Sequence, residues 1–93
     1  MSNDYPLVSI IIPTYNSSDY ITETLTKLEK QTYPNFEIVI VNDGSKDNTS
    51  SVLREYGLTH SRLIIINKEN GGVSSARNTG IRKAQGQFIC FMD

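Results

Sequence analysis

Four short runs of Val, Ile, Leu and Phe alternate with three stretches whose apolar residues recur every three or four positions. Residues 7–12 form a compact apolar run, the first expected strand, stopped by Pro13. A helix is expected to open at Ser17-Ser18-Asp19, with Ile21, Leu25 and Leu28 on one face. Gln31-Thr32-Tyr33-Pro34-Asn35 turns the chain, because Pro34 lacks an amide donor and biases Tyr33 away from helical backbone. Residues 36–42 read as the second strand. Residues 43–48 are turn chemistry, with Asp47 or Asn48 as a helix cap. Val52, Leu53 and Tyr56 face inward from the second helix, and Gly57 ends it.

Residues 63–67 read as the third strand, followed by a loop, Lys68-Glu69-Asn70-Gly71-Gly72, with nothing apolar to bury. The third helix begins near Val73 and places Val73, Ala76, Gly80, Ile81 and Ala84 on one face. Gly80 inside a helix costs ~1 kcal/mol against Ala, and close packing on a sheet would explain it. Gly86 closes this helix, and residues 88–92 are the fourth strand. Strands apolar on both faces, alternating with helices, imply an α/β fold: a Rossmann-like parallel sheet with helices on both faces and right-handed crossovers.

At 93 residues the chain is one domain at most, and 38% hydrophobic with 20% charged residues fits a globular chain. A net charge of −1 and no basic cluster remove the case for nucleic-acid binding or for attraction to an anionic membrane. The longest apolar runs are strand length, too short to span a bilayer. The first six residues lack a basic and then apolar signal region, which leads to the expectation of a cytoplasmic protein. Cys90 is alone in an apolar run and is expected to be a small buried hydrophobe.

Ligands of parallel α/β sheets sit beyond the carboxyl ends of the strands. The second strand runs straight into Asp43 and the fourth into Asp93, so two carboxylates are expected at one edge, a site for a metal, a ribose or a base. Pro13-Thr14-Tyr15-Asn16, Gly44-Ser45 and Asn70-Gly71-Gly72 join them there, offering a ring, hydroxyls, amides and backbone donors. That set suits a nucleotide. For Thr14, Asn16 and Ser45 an ordinary turn role fits at least as well. Asp43 has two even readings: an Asx-type hydrogen bond across Gly44-Ser45, or an acceptor for a uracil imide or ribose hydroxyls. Gly71-Gly72 before a helix could receive a phosphate on bare amides. Arg77 could reach a diphosphate, although a solvated charge like Arg82 and Lys83 is the simpler reading. His60 reads as a surface residue. Neither Gly-x-Gly-x-x-Gly nor a P-loop is present, which argues against a nicotinamide enzyme and a P-loop phosphotransferase.

Taken together, Val8-Ser9-Ile10-Ile11-Ile12-Pro13-Thr14-Tyr15-Asn16, Gln31-Thr32-Tyr33-Pro34-Asn35-Phe36-Glu37, Val41-Asn42-Asp43-Gly44-Ser45, Asn70-Gly71-Gly72-Val73-Ser74-Ser75-Ala76-Arg77-Asn78-Thr79-Gly80 and Ala84-x-Gly86-x-Phe88-Ile89 resemble family 2 glycosyltransferases of the GT-A fold. The resemblance runs from about Val8 to Asp93. It implies the nucleotide-sugar-binding portion of such an enzyme, over residues 1–93, ending at the first acid of Asp-x-Asp. By position, Pro13 and Tyr15 would line the base pocket and Asp43 would hold uracil or ribose. Asn70, Gly72 and Arg77 would approach the nucleotide or its phosphates, and Asp93 would bind Mg²⁺ or Mn²⁺.

The implied reaction is inverting transfer of a hexosyl or N-acetylhexosaminyl group from a UDP-sugar to a glycan, lipid or protein acceptor. No catalytic residue is assigned within the chain, which is expected to bind donor without transferring the sugar. Many relatives carry two acids before Gly-Ser; here Asn42 takes the first place. The alternatives are a nucleotidyltransferase, which would want a Gly-rich basic loop after the first strand, and a non-catalytic nucleotide-binding α/β module. The full-length protein would lie at the inner face of the membrane if later segments attach it. Residues 88–92 should expose apolar surface, with self-association through that sheet edge as the consequence.

Overall fold

A computed structural model of the chain describes residues 5–92. Seven elements alternate: β1 (Val8–Thr14), α1 (Ile21–Glu29), β2 (Phe36–Asp43), α2 (Thr49–Gly57), β3 (Leu63–Lys68), α3 (Val73–Lys83) and β4 (Phe88–Phe91). The strands form one parallel sheet in the order β3-β2-β1-β4.

Side chains alternate across a strand, and the two faces carry separate cores. Ile12, Ile38 and Ile40 pack with Ile21 and Leu25 of α1 and Leu53 of α2. Ile11, Val39 and Val41 point the other way, against Ala76 of α3. Helices therefore cover both faces, as expected. All eight residues of β2 are buried, the reason its apolar run is nearly continuous rather than alternating. The steps β1 to β2 to β3 carry their helices on one face; the reverse step, β3 to β4, carries α3 on the other. All three crossovers thus share one hand, as right-handed connections demand.

Gly80 is where α3 meets the sheet: a Cβ there would stand 2.5 Å from Ile11 Cγ2. The helix stripe on the sheet is narrow, with Ala76 and Gly80 as its buried residues. Val73 and Ile81, expected on that face, are 50% and 42% exposed. Ile81 follows Gly80 by one residue, about 100° around the helix, and Val73 heads the first turn.

Among the boundaries that differ from expectation, three show how the neighbours set them. Pro13 does not stop β1, which continues to Thr14. Met92 N donates to Ile11 O at 3.0 Å, so the backbone polar groups of Ile11, and of Pro13 two residues on, face β4. The ladder with β4 ends at the Ile11–Phe91 pair, and the missing Pro13 N–H leaves no carbonyl of β2 unpaired. Gly86 does not close α3, which ends at Lys83 with Ala84 already extended. Instead Gly86 is pressed on β1: its N–H donates to Ser9 Oγ at 2.8 Å. Ser9 Oγ donates to Glu37 Oε2 at 2.6 Å, and Gln85 N donates to the same oxygen at 2.7 Å. This buried network pins the α3–β4 turn to β1 and β2.

The third difference is β4, one residue shorter than expected, at the sheet edge with all four residues exposed. Cys90 is among them, exposed rather than buried, because nothing among the described residues lies on the outer side of β4. The expected apolar exposure is present: Phe88, Ile89 and Phe91 all show large fractions of their surface. His60 is half-buried, stacked on Tyr56 at 3.8 Å between ring centres. Among the described residues no helix is long and apolar enough to cross a membrane.

Candidate functional site

Strand order reverses between β1 and β4, the switch point at which open parallel sheets take ligands. A pocket of about 70 Å³ opens there, lined by Pro13, Thr14, Tyr15, Ser17, Tyr20 and Met92 among others. Tyr15 is 45% exposed, an aromatic face offered at the strand end. Two larger hollows, of about 540 and 340 Å³, run along α2 past Arg54 and Leu58. They are open surface away from the switch point.

The loops after β1 and β2 brace each other. Asn16, in left-handed backbone at φ 51°, donates its N–H to Ser45 Oγ at 2.9 Å and accepts from Lys46 N at 2.8 Å. Ser45 Oγ donates to Asn42 Oδ1 at 2.5 Å, and Asn42 Nδ2 donates to Asn67 Oδ1 at 3.0 Å. The amide of Asn42 thus both accepts and donates, which a carboxylate in its place could not do. Asp47 binds both loops: Oδ2 accepts from Ser18 N and Oγ, Oδ1 from Thr49 N and Oγ1. The capping role expected of Asp47 or Asn48 falls to Asp47; Asn48 makes no side-chain cap. Asn16 and Ser45 are turn residues in fact, and Thr14 is buried in the strand.

Asp43 ends β2, 5% exposed. The sheet register sets Lys68, the last residue of β3, directly opposite. Lys68 Nζ donates to Asp43 Oδ1 at 3.0 Å, and Gly71 N donates to the same oxygen at 3.0 Å. Gly72 N donates to Oδ2 at 2.9 Å, with Asn70 Nδ2 more distant at 3.4 Å. Burial alone would raise the Asp43 carboxyl above its ordinary range. The hydrogen bonds from Lys68, Gly71 and Gly72, with the Lys68 charge, outweigh burial and hold it below. The carboxylate does not cross the Gly44-Ser45 turn; it gathers the loop before α3. Gly44 permits this, since a Cβ there would meet Asn70 N at 2.6 Å. The amides of Gly71 and Gly72 are correspondingly not bare: both are given to Asp43.

Of the expected site residues, Pro13 and Tyr15 share the switch-point pocket, while Asp43, Asn70 and Gly72 share one hydrogen-bonded cluster at the ends of β2 and β3. Arg77 is half-buried with its guanidinium carbon 5.8 Å from the Phe91 ring centre, directed toward β4 and unlike the exposed Arg82. Asp93 lies outside the described residues. Among the described residues no three His, Cys, Asp or Glu side chains are grouped so that they could hold a metal. Sequence reasoning missed Lys68 and the Ser9–Glu37 pair. The signal for both was a register that only strand pairing reveals.

Fold and site together define a Rossmann-like α/β unit with its candidate site at the carboxyl edge of the sheet. Residues 9–93 match the family described as Glycosyl transferase family 2, and the chain belongs to that family. It is 46% identical over 88 residues to the uncharacterized glycosyltransferase EpsJ of Bacillus subtilis, covering 95% of this chain and 26% of EpsJ. Solved structures are similar over most of this chain as well. The mannosyltransferase PcManGT from Pyrobaculum calidifontis, in complex with GDP-Man and Mn²⁺, superposes with a TM-score of 0.85 at 36% identity, over 91% of this chain and 26% of that one. S. aureus TarS 1-349 in complex with UDP-GlcNAc superposes with a TM-score of 0.83 at 40% identity, over 92% and 26%. The chain spans about a quarter of the length of these relatives. The fold is that of GT-A glycosyltransferases, over the part of them that the chain matches.

Proposed function

We propose that this chain binds the nucleoside diphosphate of a sugar donor, UDP in preference to other nucleotides, for an inverting glycosyltransferase. The observation that carries the reading is the switch-point pocket lined by Pro13, Tyr15 and Met92, at the place parallel α/β sheets use for ligands. Pro13 and Tyr15 take the base. Asp43 accepts its imide N–H on Oδ2, where Asn70 Nδ2 at 3.4 Å is the weakest of four donors and the one to yield. Asn70, Gly72 and Arg77 then stand toward the ribose and phosphates. Asp93 is assigned to a divalent ion, Mg²⁺ or Mn²⁺, which would neutralise charge on the diphosphate. UDP-GlcNAc in TarS and GDP-Man with Mn²⁺ in PcManGT support the donor class and the metal.

The transferred group in this reading is a hexosyl or N-acetylhexosaminyl unit, and the acceptor a hydroxyl of a glycan, lipid or protein. The general base is assigned to no residue of the chain, so donor binding without transfer is its expected activity. Calorimetric titration with UDP, GDP and ADP, with and without Mn²⁺, tests this. Metal-assisted binding that favours UDP and is lost in Tyr15→Ala supports the reading. A folded chain that binds no nucleotide would sink it.

A further inference from the structure

The loop before α3 is held by a side chain that no motif singled out. We propose that Lys68 is a positioning residue of the donor site, occupying one oxygen of Asp43 so that the other is presented to the nucleotide base. The inference rests on the donor-site reading above. Its geometry is a division of labour across one carboxylate. Oδ1 accepts from Lys68 Nζ and Gly71 N, both at 3.0 Å, and is saturated by short contacts. Oδ2 accepts from Gly72 N at 2.9 Å and holds Asn70 Nδ2 only at 3.4 Å, so one of its lone pairs is nearly open. An oxygen with a strong fixed donor and a weak replaceable one can take an incoming N–H without releasing the loop.

Lys68 is itself fixed at both ends. Its backbone is the register partner of Asp43 at the last rung of the β2–β3 ladder. Its ammonium also donates to Glu69 O at 2.7 Å, leaving two of its three donors committed. The lysine side chain is 20% exposed and the aspartate side chain 6%, so water screens the pair poorly. Among the described residues, Lys68 from β3 is the charged group bonded to Asp43; the loop and the start of α3 face it with the Asn70 amide and two backbone N–H groups. Without the ammonium, Asp43 would be a carboxylate in a largely dry position with neutral donors alone, and both its ionisation and its aim would loosen.

The consequence is a base preference with a chemical rule. A carboxylate oxygen kept ionised accepts an N–H and repels a ring nitrogen lone pair. Uracil and guanine carry an N–H on the edge concerned, whereas cytosine and adenine carry a lone pair there. Lys68, by holding Oδ1, keeps Oδ2 aimed at that N–H, and a carboxylate free to turn would blur the distinction.

The test has two arms on the same variants, Lys68→Gln and Lys68→Arg. In the first, without ligand, the amide resonances of Gly71 and Gly72 are followed by NMR as the pH is lowered. Both should titrate with Asp43, with a midpoint below the ordinary carboxylate range in the wild type, higher in Lys68→Gln and restored toward wild type in Lys68→Arg. In the second, UDP and CDP are titrated calorimetrically at neutral pH. Lys68→Gln should weaken UDP about tenfold, the lower end of what losing a supporting contact costs in metal sites, narrow the UDP-to-CDP ratio, and be rescued by Lys68→Arg.

Glycine midpoints that do not move in Lys68→Gln overturn the proposal at its geometry. Moved midpoints with unchanged UDP affinity and selectivity overturn the positioning role. If the wild type shows the predicted midpoints yet binds neither nucleotide, the donor reading itself fails and this inference falls with it. A simple loss of fold is recognised by collapsed amide dispersion in Lys68→Gln. In that event Lys68→Arg decides: wild-type affinity and selectivity with the wild-type midpoint support the proposal, and weakened selectivity at that midpoint refutes it.

Discussion

Asp47 is exposed, yet its carboxyl is pulled from 3.8 to about 2, chiefly by the Thr49 hydroxyl; desolvation opposes this, and the Thr49 amide and the Ser18 hydroxyl and amide add to the lowering. A depressed carboxyl stabilises the fold at pH values above its unfolded value and loses that contribution as the pH falls through its folded value. The Asp47 contribution should therefore be complete above about pH 5 and gone below about pH 2. Urea midpoints of wild type and Asp47→Asn measured from pH 7 to pH 2 should differ at neutral pH and converge in acid; a constant gap would show that the ionised form is not what matters. Asp47 was legible in the sequence because a cap acts on residues two positions away. Lys68 was not: its neighbours 69–72 read only as a polar loop, and its partner stands 25 residues earlier. Asp43 was half legible, since its place at a strand end could be read but not the four donors that surround it.

Among the elements, the strands were readable because their apolar runs do not depend on knowing the neighbours, whereas the ends of β1 and β4 depend on how far each neighbour extends. The same limit applied to α3, where periodicity counted five inward positions but the sheet accepts a stripe too narrow for Val73 and Ile81. Gly80 gives a direct measure of that fit. Alanine is the better helix former by ~1 kcal/mol, but its methyl would stand 2.5 Å from Ile11 Cγ2. Gly80→Ala should destabilise the chain by about 2 kcal/mol through overpacking, read from the urea midpoint, and Ile11→Ala in the same chain should recover part of the loss. A stabilised Gly80→Ala would mean that α3 can lift off the sheet at little cost.

At the scale of the whole molecule, the two sheet edges are unlike. β3 ends in Lys68, tied inward to Asp43, whereas β4 presents Phe88, Ile89, Cys90 and Phe91 to its surroundings. A bare, apolar edge strand is a template for pairing, so the isolated chain should self-associate as its concentration rises. Ile89→Lys, which sets a charge in the middle of that edge, should shift light scattering toward monomer. A wild type that stays monomeric at high concentration would show the edge to be inert.

The lashing of the β1 and β2 loops through Asp47, Asn16 and Ser45 has a consequence for how this surface can change. None of those contacts uses the Tyr15 ring, which projects from a frame whose shape is maintained by other residues. In the proposed donor site, recognition and architecture are thereby held by separate side chains at one strand end. The surface on which a base stacks there can therefore be reshaped by exchanging Tyr15, on a frame that does not have to be rebuilt each time.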